Sequence, residues 1–321
     1  MKTHKLFNLI VLMTIVVMTT SCSSDSGIGF ITPPTPAAFN DLRNKALDRI
    51  TQTHTFNAES GTTFTSTKGA VFSINPNQIS LNGVPVVGPV KLEFVELYKR
   101  GEMLVVNKPL MGTAIGGEKG PMKTGGQFYV NITKDGVQVD PIHFYKIIVP
   151  AENTGNSADP NMTLWIGKEN ENNDMIWDEE NDQERGGVFG EPGQYNLLGC
   201  HFGWINIDIL YNLPGPKTEV WVKVPEGFDN KNSAVYVAYK NQVGSLAYMD
   251  IWNTEKKMFT EHYGLAPIGF NFYVIFVSAQ ENNFIYDIQD VTVEANKIIT
   301  FDINKLKGID ELSLIALINY L

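Results

Sequence analysis

A mainly β fold is predicted, with two β-sandwich-like domains after one short N-terminal helix. Three observations carry that expectation. Helical spacing is concentrated near the start, where Phe39, Leu42, Ala46 and Ile50 recur at intervals of three and four. From Phe56 the period becomes two. Turn residues then punctuate the chain, among them Lys68-Gly69, Asn82-Gly83, Asp135-Gly136, Pro225-Glu226-Gly227 and Asn282-Asn283.

The chain opens with a different kind of segment. Lys2 and Lys5 precede an apolar run from Leu6 to Met18, which is followed by Thr19-Thr20-Ser21-Cys22. That run is too short for the roughly 20 residues that cross a bilayer and fits a signal h-region. Residues 1–21 are expected to be a lipoprotein signal peptide, and Cys22 the residue that takes the lipid. Several acyl chains on one cysteine would supply the multiple signals that stable anchoring needs. Residues 22–38, rich in Ser, Gly, Thr and Pro, are expected to be a flexible tether.

The elements then follow in order. Residues 39–150 are expected to hold the helix and a first β domain. Phe64–Thr67 and Ala70–Ile74 read as strands joined at Lys68-Gly69. Val90 to Tyr98 alternates, with a phase shift at Phe94-Val95 that suggests a bulge. Phe128–Thr133 and Val137–Val139 flank Asp135-Gly136, the pair that supplies positive φ for a type I′ turn. Residues 151–212 form a Trp- and acid-rich connecting region, and 213–321 a second β domain. The last segment, Ile309 to Leu321, fits a helix or a strand.

Charge and cysteine count exclude several roles. Losing residues 1–21 removes two lysines and no acid, taking the formal charge from −10 to −12. Such a chain repels phosphate backbones, so no nucleic-acid partner is expected. With Cys22 lipidated, Cys200 has no intramolecular partner, and its apolar setting fits an inert buried thiol better than a nucleophile.

Three stretches also carry a family resemblance. They are Asn82-Gly83-Val84-Pro85-Val86-Val87-Gly88-Pro89-Val90, Thr124-Gly125-Gly126-Gln127-Phe128-Tyr129-Val130, and Gly203-Trp204-Ile205-Asn206-Ile207-Asp208. In this order they resemble uncharacterised Bacteroidetes envelope lipoproteins. Thr124 stands where that family has Ser, and Ile207 where it often has Cys. The first domain is loosely similar to ZU5-like β modules. The resemblance implies architecture and an envelope location, without an activity, cofactor or catalytic residue.

Motifs for chemistry are sparse. No H-E-x-x-H, G-x-S-x-G or P-loop occurs, so no cofactor, metal site or catalytic residue is expected. The acidic run 169–184 resembles a calcium loop at Asn170, Asn172 and Asp174. It has Met175 where glycine is needed and Asn181 where a bidentate Glu belongs, which favours a solvated loop. Glu93, Glu96 and Asp208 are the carboxylates with ordered surroundings. The glutamates are expected on exposed strand positions, and Asp208 is expected to hold a turn. All five tryptophans lie in the second half. Trp165 and Trp177, beside Asp174 and Asp178, are the candidate ligand contacts, set against the alternative that tryptophans fill a core. The sequence therefore predicts a lipid-anchored outer-membrane protein, a non-catalytic binding or structural module with a glycan or another envelope protein as its partner. The alternatives are a carbohydrate-binding accessory using exposed Trp and an envelope hydrolase using carboxylates near Asp208.

Overall fold

Strands dominate the computed structural model, which describes residues 31–321 except 156, 170–173, 183, 212, 213, 241, 243 and 262–265. Cys22 lies outside the described residues. Helix α1 (Pro36–Ile50) begins where its sequence dictates. The Thr35 hydroxyl accepts from the Ala38 amide at 3.2 Å, and Pro36 supplies the preset φ of a first helical turn. Phe39, Leu42 and Ala46 are its buried face. The residues just before it are docked as well. The Pro33 ring sits against Gly227, and the Asn232 amide donates to the Pro34 carbonyl at 3.2 Å, so the expected tether ends before Pro33.

The first sheet runs Gln52–Asn57, Pro89–Leu97, Lys119–Lys134, Gly203–Leu210, Thr163–Glu169, Met175–Glu179, Met111–Thr113. Its last strand pairs back onto Lys119–Lys134, so five of these strands close into a ring. Trp177 and Asp178 pair in parallel with Gly112 and Thr113 to complete it. The second sheet runs Gly186–Glu191, Gln194–Gly199, Tyr145–Pro150, Val71–Ile74, Thr62–Thr65. Residues 151–212, expected as a connector, thus supply three strands to the first sheet and two to the second.

Two apolar clusters hold the fold. One joins Leu92, Phe94, Phe128, Ile205 and Ile207 of the first sheet to Phe72, Ile147, Val149 and Leu197 of the second. The other covers the opposite face of the first sheet. It gathers Val95, Leu97, Trp165, Trp177 and Trp204, the helices α1, α2 (Arg100–Val105) and α3 (Glu311–Tyr320), and the C-terminal strands Ser233–Tyr239 and Asn271–Gln280. This cluster crosses the boundary expected near residue 213, and residues 31–321 form one compact unit.

That arrangement explains the phase shift at Phe94-Val95. The register from Lys91↔Thr133 to Leu97↔Gln127 is unbroken, so no bulge lies there. Phe94 faces one cluster while Val95 and Leu97 face the other, and a strand buried on both sides loses its alternation. The bulge occurs elsewhere. Thr124-Gly125-Gly126 stands mid-strand opposite Ile207 and Asp208, with Gly125 left out of the register. A Cβ on Gly125 would lie 2.9 Å from Ile207 Cγ2 and from Met162 Sδ, which explains the glycine. The hairpins at Gly69, at Asn82-Gly83 and at Asp135-Gly136 form as expected, each with positive φ at the turn. The C-terminus is helical. Asp310 caps α3, and Leu314 and Ile318 are its buried residues while Leu312 is exposed.

Candidate functional site

The predicted ligand tryptophans are core residues. Trp165 and Trp177 are 1% and 0% exposed, so neither offers a face to a ligand, and the exposed-Trp reading is corrected. Ring closure packs the Trp165 ring, with Met122, against Gly112 of the closing strand, and the Trp177 ring lies against Gly167 of the neighbouring strand. Their indole N–H groups donate to the backbone carbonyls of Asp208 (3.0 Å) and Pro109 (2.8 Å), as buried indoles require. Asp178 pairs with Lys168 at 3.0 Å at the surface.

Asp174 joins a polar network between the two halves of the chain. It faces the Tyr248 phenol, whose pKa is pushed well up by burial first and by the Asp174 charge second. Nearby, Arg43 Nη2 donates to the Tyr236 hydroxyl at 3.0 Å, and that hydroxyl donates to Asn107 Oδ1 at 2.6 Å. Lys108 Nζ meets Glu169 Oε1 at 2.6 Å and lies 5.3 Å over the Trp204 ring. Burial lowers the Lys108 pKa, and Glu169 opposes that shift. These contacts tie α1, the turn after α2, the Thr163–Glu179 hairpin and the C-terminal sheet together. Among the described residues, no group of three or more His, Cys, Asp or Glu could hold a metal ion. Asn170 and Asn172 of the calcium-like run lie outside the described residues.

The ordered carboxylates also differ from expectation. Glu96 is buried rather than exposed. Its oxygens accept from Ser66 Oγ (2.8 Å), the Lys68 amide (2.9 Å), the Tyr98 hydroxyl (3.0 Å) and Gln52 Nε2 (3.2 Å). Glu93 pairs with Lys91 at 2.8 Å, and that bond lowers its pKa. Asp208 sits in a strand at the bulge, not in a turn, and is 0% exposed. Burial raises its pKa well above the usual carboxylate value of 3.8. Thr124 and Asn206 lie beside the carboxyl and oppose the shift. Neither makes a hydrogen bond of good geometry to it: the Thr124 hydroxyl donates to Asn206 Oδ1 at 2.9 Å, and Asn206 Nδ2 has no partner among the described residues. Cys200 is half-buried, donates to the Arg185 carbonyl at 2.8 Å, and has its pKa raised by burial, which is the opposite of an activated thiol.

Among the described residues, a surface cleft of about 460 Å³ has room for a ligand. Its walls come from both sheets: Thr163, Leu164, Glu179 and Glu180 on one side, Gly186 to Phe189 and Leu198 on the other, with Phe144 and Ile115 at the rim. The size falls within that of small-ligand sites, roughly 300–1,000 Å³. Phe189 is 57% exposed and Phe144 is partly open. The carboxylates opposite are fixed. Glu179 accepts from the Thr163 hydroxyl (2.8 Å) and the Ile115 amide (3.2 Å). Glu180 accepts from the Asp182 amide (3.1 Å) and lies 3.5 Å from Arg185 Nε. A second cavity, lined by Met111, Val237, Tyr239 and Met249, is about 30 Å³, room for about one water.

Sequence reading missed Phe144 and Phe189. Phe189 did carry a signal. It stands in Gly186-Gly187-Val188-Phe189-Gly190, where the glycines supply no side chains to cover a ring. No family model, curated protein or solved structure matches this chain.

Proposed function

We propose that this chain is a lipid-anchored, non-catalytic binding module of the bacterial outer membrane, whose ligand surface is the cleft between Glu179 and Phe189. The cleft carries the reading: open phenyl rings face carboxylates already held in place by neighbouring donors, so apolar contact and polar orientation are available together. The carboxyl with the strongly raised pKa, Asp208, is sealed in the core, where no substrate reaches it. That weighs against the hydrolase reading. The Leu6–Met18 run ending at Cys22, together with the envelope-lipoprotein resemblance, supports the anchor.

Two measurements test this. Cells making the wild-type chain should release it from membranes only with detergent, whereas Cys22→Ala should leave it in the soluble fraction. A Cys22→Ala chain that stays in the membrane contradicts the anchor. Screened against arrayed peptides and glycans, the wild-type chain should bind a subset that Phe189→Ala loses by about tenfold, the scale of one truncated aromatic hot spot. Binding that Phe189→Ala and Phe144→Ala both leave intact removes the cleft from the account.

A further inference from the structure

The wall of the cleft that carries Phe189 is a sheet edge. Gly186–Glu191 is the outermost strand of the second sheet and, among the described residues, pairs only with Gln194–Gly199. Exposed edges present unpaired N–H and C=O groups, and proteins guard them with Lys, Pro or an inward charge. Here Gly-Gly-Val-Phe-Gly-Glu has none of these before its last residue. The strand is half-buried over Gly186–Val188 and exposed from Phe189 to Glu191, with Pro160 passing near Gly190, where a Cβ would lie 3.4 Å from Pro160 Cα. The part that borders the cleft is Gly186 to Phe189.

The opposite wall adds charge. Glu179 is fixed by two uncharged donors, the Thr163 hydroxyl and the Ile115 amide. Glu180, by contrast, has Arg185. An occupant that satisfies both walls must bring backbone hydrogen-bonding groups to one and a positive charge to the other. A glycan brings neither a strand nor a cation.

We infer that the cleft takes an extended polypeptide segment of a partner protein, which adds as a strand beside Gly186–Phe189, packs an apolar side chain on Phe189, and places a Lys or Arg at Glu179. The inference rests on the cleft being the binding surface. Strand addition derives affinity from main-chain bonds and specificity from alternate side chains, so the apolar and basic positions of the segment follow its two faces.

The test uses synthetic decapeptides that alternate apolar and polar residues, with lysine or its neutral acetylated form at each polar position, titrated against the full chain. Lysine-bearing peptides should bind. N-methylating one set of alternate amides should weaken binding by about tenfold or more, while methylating the other set, which points to solvent, should change it less than about twofold. Glu179→Gln should weaken the lysine peptide by about fivefold and leave its acetylated form unchanged. Because the N-methyl comparison uses the wild-type chain, misfolding of a variant cannot imitate it. Binding that tolerates N-methylation in both registers overturns strand addition. So does glycan binding lost in Phe189→Ala without peptide binding, which leaves the cleft as the binding surface. Self-association through the same edge, abolished by Phe189→Ala with no peptide bound, also overturns it in favour of a second copy. No ligand of either kind, or ligands indifferent to Phe189, overturns both readings.

Discussion

Asp208→Asn is expected to raise stability at pH 7 and to leave it unchanged near pH 3. The folded chain keeps the Asp208 proton above the pH at which the unfolded chain loses it, because burial raises the folded pKa well above 3.8. Above that unfolded value the folded state binds more protons than the unfolded state, so rising pH costs stability until the folded group itself ionises. Below it both states hold the proton and the cost is absent. Asparagine copies the neutral acid in shape and never ionises. The groups facing the carboxyl are Thr124, Asn206 and the Tyr195 phenol, none of them a cation. The gain at pH 7 should be at least about 1.4 kcal/mol, the linkage free energy of a tenfold difference in proton affinity between the folded and unfolded states. Chemical denaturation of both proteins between pH 3 and 8 checks this. A pH-independent difference, or a less stable variant at pH 7, contradicts it.

Glu96→Ala should act in the opposite direction and more strongly. The Glu96 carboxylate is 2% exposed and collects donors from five residues on three stretches of chain: Gln52, Ser66 to Lys68, and Tyr98. Its loss leaves those donors facing a cavity, at a cost of about 3–5 kcal/mol. Tyr98 reports the same link. Burial, followed by the Glu96 charge, drives its phenol pKa upward. Ser66→Ala removes one donor and should cost about 1 kcal/mol. In the double variant the Ser66 effect should vanish, since its acceptor is gone. A Glu96→Ala loss below 1 kcal/mol would show that the carboxylate is not the hub of this corner.

These two carboxylates show what sequence carries and what it does not. The Asp135-Gly136 hairpin and α1 were legible because period, turn chemistry and capping are local. Glu96 lies in an alternating strand, and its burial depends on Ser66 and Lys68, reached only when the two sheets pack. Asp208 lies opposite a bulge whose glycines the sequence does display, as Gly125-Gly126. That pair reads as a strand start until the Lys119–Lys134 strand is seen to run straight through it. Trp165 and Trp177 stand beside polar loops and look accessible. Their burial comes from the parallel pairing of Gly112 and Thr113 with Trp177 and Asp178, a contact between distant segments that no local pattern announces. The cleft is hard to read for the same reason: Phe144, Glu179 and Phe189 converge only through the pairing of both sheets.

Gly186–Phe189 is the sheet edge inferred to receive a ligand strand. Amide hydrogen exchange of this segment, with and without a saturating lysine-bearing decapeptide, tests it most directly. The outward-pointing amides of Gly186–Phe189 should exchange fast in the free chain and slow in the complex, while the alternate amides bonded to Gln194–Gly199 and the ladder between Lys119–Lys134 and Gly203–Leu210 stay unchanged. Outward-pointing amides of Gly186–Phe189 that already exchange slowly in the free chain, or that the bound peptide does not slow, would contradict it.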